Sequence, residues 1–286
     1  MKPRVVVDRD DLHYTVQGDA GPRVLLLHGL FGQGKNWTSI AKVLSEQARV
    51  TMVDLPNHGQ SGWTESVTYS RTAVAIADVL MADSDDPLTV VGHSMGGKVA
   101  MAMALLRPRS VERLVVADIA PVRYERLTGF TDYVQGMQSI DLGRLQTRTE
   151  ADTQLAPYVP DVVIRSFLLQ NLRRDPASAS GWRWQMNLSL LGARLGELGD
   201  WPDLHTPPYP GPVLWIAGAA SDYITPAYGP AMRALFPRTT ALTIKNAGHW
   251  VHSEQPEVFL AALRRFLGLT EGGTASAIRD AAARKT

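Results

Sequence analysis

Gly92-His93-Ser94-Met95-Gly96 lies between the apolar run LTVV and the helix-like run KVAMAMALL, so the pattern G-x-S-x-G sits in a strand, turn, helix context. A serine on so tight a turn has its hydroxyl lifted clear of the backbone, and small flanking residues are needed to avoid collision with neighbouring elements. The chemistry this allows is nucleophilic attack by Ser94. A hydroxyl is a poor nucleophile until a base takes its proton, and the usual base is histidine. Seven histidines compete for that role. His249, in Asn246-Ala247-Gly248-His249-Trp250, comes just after the last strand-like run and follows both Ser94 and every candidate acid. His252 is expected to enter the final helix as a surface or packing residue. His93 sits inside the turn and should point elsewhere, while His13 and His205 fall on an early strand and a linker.

Two further parts complete such chemistry. His28-Gly29-Leu30-Phe31-Gly32 follows the third strand-like run directly, and the amide of Leu30 or Phe31, together with that of Met95, could hold a developing oxyanion. Each such donor is typically worth about 3 kcal/mol. The third part is an acid to orient His249. Asp118 ends the run VVADIAP and Asp222 follows VLWIAG, so both stand at predicted strand ends between Ser94 and His249 in sequence. Asp54 and His58, in DLPNHGQS, read as a structural turn; no partner at metal-ligand spacing lies nearby, and no metal site is expected.

These residues need a scaffold. The chain has 286 residues, 45% of them hydrophobic and 20% charged, with a net charge of +1. That is the composition of an ordinary globular protein with a full core, not of a disordered one, and its scattered charge argues against nucleic acid as a partner. Absence of cysteine excludes disulfides, cysteine metal sites and a cysteine nucleophile, and suits a reducing, cytoplasmic location. The first apolar run breaks at Asp8, so neither a signal peptide nor a membrane span is expected. No feature sets an oligomeric state.

Strand-like runs near Arg4 to Asp8, Leu12 to Gln17, Arg23 to His28, Arg49 to Asp54, Leu88 to Gly92, Val111 to Ile119, Val213 to Gly218 and Thr240 to Lys245 alternate, after the first two, with helix-like stretches. This predicts an α/β fold with a mostly parallel eight-stranded sheet flanked by helices, the first two strands forming an antiparallel hairpin at its edge. Runs such as RVLLLHG and LTVVGHS lack alternation, as strands buried on both faces do. Between Pro121 and Pro212 the strand signal disappears. Residues 122–205 are therefore expected to be a helical lid inserted into a core of residues 1–121 and 206–269, with Trp182, Trp184 and Leu188 as walls of a substrate pocket. Residues 270–286 are expected to be a flexible tail.

HGLFG, DLPNHGQS, GHSMGG and NAGHW occur in that order, and through them residues 10–268 resemble the α/β-hydrolase superfamily, most of all the small YbfF-like esterases. The resemblance extends to HGLFGQGKNW, to the strand end from Val116 to Pro121, to Gly248 to His252, and more weakly to WRWQMNLSLL. It implies hydrolysis of a small-molecule carboxylic ester or thioester through an acyl-enzyme, with no metal or organic cofactor. In that branch the acid resembles Asp118 and a serine stands at the later strand end, here Ser221. Asp118 is therefore the assigned acid, with Asp222 the alternative and Ser221 a support. Epoxide hydrolases and haloalkane dehalogenases share the fold but use a carboxylate where this chain has Ser94. A cofactor-free perhydrolase or haloperoxidase and a C–C bond hydrolase keep the same triad and stay open, as does a non-catalytic ligand-binding protein on the same fold.

Overall fold

A computed structural model describes residues 11–82, 84–125 and 129–269. Along the chain run β1 (Tyr14–Gln17), β2 (Arg23–Leu27), α1 (Thr38–Leu44), β3 (Arg49–Val53), α2 (Tyr69–Met81), β4 (Leu88–His93), α3 (Met95–Leu106) and β5 (Val111–Ala117). Then follow α4 (Phe130–Ser139), α5 (Arg148–Leu155), α6 (Val162–Leu169), β6 (Leu172–Arg174), β7 (Trp182–Trp184), α7 (Leu188–Ala193) and α8 (Leu195–Gly199). The sheet resumes with β8 (Val213–Gly218), α9 (Gly229–Leu235), β9 (Thr239–Ile244), α10 (Val251–Glu254) and α11 (Pro256–Leu267).

Seven strands lie in the order β1-β3-β2-β4-β5-β8-β9. β1 is antiparallel to β3 and all other pairings are parallel. Successive residues of a strand face opposite sides. In β2, Leu25 and Leu27 join one core layer while Val24 and Leu26 join the other. This is why RVLLL shows no alternation: both of its faces are covered. On one side α2 buries Tyr69, Ala73, Ile76, Ala77 and Leu80, a stripe at helical spacing. It packs on α3, whose residues from Met95 to Leu105 are all buried. On the other side α1 and α11 contribute Ile40, Leu44, Phe259 and Leu263. α11 ends on Gly268 at φ 71°, in the left-handed conformation that glycine adopts without a Cβ penalty.

The eight-stranded expectation becomes seven strands among the described residues, because the run near Arg4 to Asp8 lies outside them. The edge hairpin is thus described only in part: β1 pairs with β3. The tail at 270–286 also lies outside. A correction falls between β5 and β8, where β6 and β7 form an antiparallel hairpin among the helices. Strands of three residues are too short to display a period. Between β8 and β9 a 3-10 turn (Pro226–Tyr228) leads into α9.

Candidate active site

Parallel pairing delivers the candidate residues to one edge. β4 and β5 pair with His93 opposite Ala117, so Ser94 and Asp118 each stand one residue beyond neighbouring strands. The Ser94 amide donates to Ala117 O at 3.0 Å, and the Asp118 amide donates to Ile216 O of β8 at 2.8 Å. Both residues hold positive φ, 53° for Ser94 and 52° for Asp118. Such conformations cost on the order of 1–3 kcal/mol each and persist only where their surroundings over-determine them. The glycines beside Ser94 are steric requirements. A Cβ at Gly92 would meet the Gly96 carbonyl, and one at Gly96 would meet the carbonyls of Leu27 and His28.

His249 lies between the two. Its Nδ1 is 2.8 Å from Asp118 Oδ2 and its Nε2 is 3.0 Å from Ser94 Oγ. An ionised carboxylate can only accept, so Nδ1 carries the proton and the Nε2 lone pair faces the serine hydroxyl. Asp118 is fully buried. Its Oδ1 accepts from the Gly218 amide at 3.0 Å, and its Oδ2 also accepts from the Ser221 hydroxyl. Asp222, by contrast, is exposed. The geometry thus brings Asp118 to His249, with Ser221 on the same carboxylate oxygen, and leaves Asp222 at the surface.

Two contacts on His249 were not legible in the sequence. The Tyr223 ring stacks on the imidazole at 4.1 Å between centroids. The His93 Nε2–H donates to His249 O at 2.7 Å, fixing the loop. Burial, then the neighbouring His252 and His249, push the His93 pKa well below its usual value, so the ring stays neutral.

Phe31 drops out as an oxyanion donor. Its amide donates to His58 Nε2 at 3.2 Å, and its carbonyl accepts from Asn171 Nδ2 at 2.8 Å. Held at both ends, Phe31 keeps a left-handed φ of 62°. His58 is fixed as the acceptor because its Nδ1–H donates to Pro56 O at 3.0 Å. Among the described residues, the amides of Leu30 and Met95 have no acceptor. Met95 opens α3, where a helix leaves its first amides unpaired. The turn around Asp54 supports this loop: Asp54 accepts from the amides of Gly34 at 2.7 Å and Gln60 at 2.8 Å.

Two cavities open on Ser94, with Leu30 and Phe130 lining both. The first runs past Asn36, Phe167, His249 and Trp250. The second is also lined by Met95, Lys98, Ile119, Leu198 and Tyr223. Trp182, Trp184 and Leu188 line neither, which corrects the pocket walls expected from sequence. In β7, Trp182 and Trp184 share a face, and Trp182 is buried with its Nε1–H donated to Leu145 O at 2.8 Å. Trp182 is thus tied within the inserted segment, whereas Phe130, Phe167 and Leu198 line the cavities that share Ser94.

Buried neutral histidines also make the molecule acid-sensitive. Burial, with His28 nearby, lowers His58 to about 3, and burial, with His249 nearby, lowers His252 to about 3. The unfolded chain takes up these protons near pH 6.5 and the folded chain only near 3, so stability is whole above 6.5 and declines as pH falls towards 3. Between pH 7.5 and 5 the two rings together cost about 4 kcal/mol. Thermal melts should therefore show Tm lower by on the order of 10 °C at pH 5; a Tm unchanged across that interval would contradict the assignment of these rings as neutral.

An open, mainly parallel sheet with a serine on the strand-to-helix turn of a central strand, and histidine and aspartate at the same edge, defines the α/β-hydrolase class of fold. The family model for the alpha/beta hydrolase fold matches residues 22–256, and the chain belongs to that family. It is 37% identical over 265 residues to the sn-1-specific diacylglycerol lipase ABHD11 of Xenopus laevis, covering 90% of this chain and 84% of that protein. To the esterase YbfF of Escherichia coli it is 32% identical, covering 85% of this chain and 92% of that protein. A solved marine microorganism esterase superposes with a TM-score of 0.86 at 32% identity, over 90% of this chain and 99% of that one. Among the described residues no group of three or more His, Asp or Glu could hold a metal ion, and no helix is long and apolar enough to cross a membrane.

Proposed function

We propose that the protein is a serine hydrolase that cleaves carboxylic esters or thioesters of small to medium acyl chains through an acyl-enzyme. The observation that carries this reading is His249, with Nε2 at 3.0 Å from Ser94 Oγ and Nδ1 at 2.8 Å from buried Asp118. His249 takes the Ser94 proton as Oγ attacks the acyl carbon, and the amides of Leu30 and Met95 receive the oxyanion. His249 then returns the proton to the leaving oxygen or sulfur. A water deprotonated by the same nitrogen releases the acid and frees Ser94. The relatives' names, diacylglycerol lipase and esterase, both describe ester cleavage and support the same bond type here.

The two cavities divide the substrate. A leaving group must lie beside His249 Nε2 to be protonated, which assigns the arm lined by His249, Trp250 and Phe167 to the alcohol or thiol. The arm from Met95 past Ile119 and Leu198 then takes the acyl chain. The segment carrying α4 to α8 acts as the lid, since it supplies Phe130, Phe167 and Leu198 over the serine. Leu198→Trp should lower kcat/KM for hexanoyl relative to acetyl esters by about tenfold, the scale on which filled apolar pockets discriminate. Phe167→Ala should shift leaving-group preference and leave acyl preference alone. If both variants move the same preference, the division of the arms is wrong.

The direct test is a p-nitrophenyl ester panel with labelling by a fluorophosphonate. A chromophore burst equal to the amount of enzyme and stoichiometric labelling at Ser94 are expected. Ligand binding without burst or labelling would instead favour a non-catalytic binding protein.

A further inference from the structure

α3 carries one charged residue in an otherwise apolar sequence, MGGKVAMAMALL, and that residue, Lys98, stands one turn after Ser94. It is 1% exposed. Its ammonium reaches three main-chain carbonyls, Val122 O at 3.2 Å, Gly199 O at 2.9 Å and Asp200 O at 2.7 Å. The Tyr124 ring lies 4.9 Å from the nitrogen and the Tyr69 ring 5.6 Å. An ammonium has three N–H donors, so none is left for a substrate.

What these carbonyls share is their place in the chain. Val122 lies where the backbone leaves the sheet after β5, and Gly199 and Asp200 lie where it returns after α8. The two roots are tied to each other by the Tyr124 amide, which donates to Gly199 O at 2.9 Å. Tyr69 of α2 adds a hydroxyl bond to Leu198 O at 2.6 Å. One cation therefore gathers both roots of the inserted segment onto the helix that begins beside the serine. Lys98, Tyr69, Tyr124 and Leu198 are also part of the lining of the second cavity, which has Ser94 as another of its walls.

We propose that Lys98 is a positioning residue that sets acyl-chain length: its ammonium clamps both roots of the segment to α3 and so fixes one wall of the acyl arm. The inference rests on the functional reading above for the identity of that arm. Burial lowers the Lys98 pKa to about 7, with the Asp200 carboxylate pulling the other way. The carbonyls favour the protonated form, because a neutral amine has only two donors for three acceptors. An apolar side chain here would take the ammonium from the Val122 and Asp200 carbonyls and leave Gly199 O with the Tyr124 amide alone, and the roots would separate to admit water.

The test is Lys98→Met in the full chain, with two measurements. The ratio of kcat/KM for p-nitrophenyl octanoate to that for the acetate should rise about tenfold, mainly through KM of the octanoate. In hydrogen exchange, the Tyr124 amide should exchange at least about tenfold faster while the amides of β4 and β5 keep their rates. A folded variant with the wild-type ratio overturns the proposal, and accelerated exchange with that unchanged ratio reduces Lys98 to a purely structural tie. If the wild-type protein cleaves no ester, the functional reading fails instead, and exchange alone decides the clamp. If Lys98→Met does not fold, Tyr69→Phe removes a neighbouring tie at the same root. A smaller shift in the same direction is then expected, and an unchanged ratio overturns the proposal.

Discussion

Ser94→Ala should reduce ester turnover by on the order of 10⁶-fold and abolish fluorophosphonate labelling, because among the described residues the hydroxyl that His249 Nε2 meets is that of Ser94, at 3.0 Å. What survives should be the contribution of the oxyanion amides and of binding, about 10³ to 10⁴ over water. The fold should be untouched. Alanine keeps the Cβ that packs beside Gly29, and the amide bond from residue 94 to Ala117 O does not involve the side chain. The positive φ of 53° is retained too, so melting should stay within a few degrees of wild type while turnover collapses. A variant that keeps half of the wild-type rate with a clean preparation would sink the serine mechanism, whatever its structure.

How much of this was legible in the sequence depends on the distance over which each decision is made. Ser94 and its glycines declared themselves, since the constraint is local: a tight turn between a buried strand and a buried helix. His249 was read from its place just after the last strand-like run and its order after Ser94 and both candidate acids, because a parallel sheet sends every strand-to-helix loop to the same edge. The oxyanion donor could not be chosen that way. Whether Leu30 or Phe31 offers a free amide is decided by His58, 27 residues further on, whose Nε2 takes the Phe31 N–H. The pocket walls failed for a related reason. WRW places Trp182 and Trp184 on one face of β7, but nothing local says whether that face looks at the serine or into the inserted segment. Lys98 did leave a signal, one charge in a helix otherwise apolar all round. The carbonyls that explain it lie 24, 101 and 102 residues away.

Asp118→Asn should lower kcat by about 10⁴-fold at neutral pH with little change in KM, the size found when a serine protease loses the corresponding carboxylate. The hydrogen bonds around Asp118 say why. Among the described residues the three groups that reach the carboxylate all donate to it: the Gly218 amide on Oδ1, and Ser221 with His249 on Oδ2. A carboxamide must turn its NH₂ towards one side. The Gly218 amide is backbone and cannot reverse its role, whereas a hydroxyl can rotate and an imidazole can change tautomer. The amide oxygen therefore stays on Gly218 and the NH₂ faces His249, which must then accept at Nδ1 and carry its proton on Nε2. That proton points at Ser94 Oγ, and the imidazole can no longer act as its base. Asp222 lies beyond the end of β8 and is exposed, so Asp222→Asn should cost less than about tenfold. The tautomer gives a second readout: nitrogen chemical shifts of His249 should place the proton on Nδ1 in the wild type and on Nε2 in Asp118→Asn. The assignment fails if Asp222→Asn is the crippling change and Asp118→Asn stays near wild type.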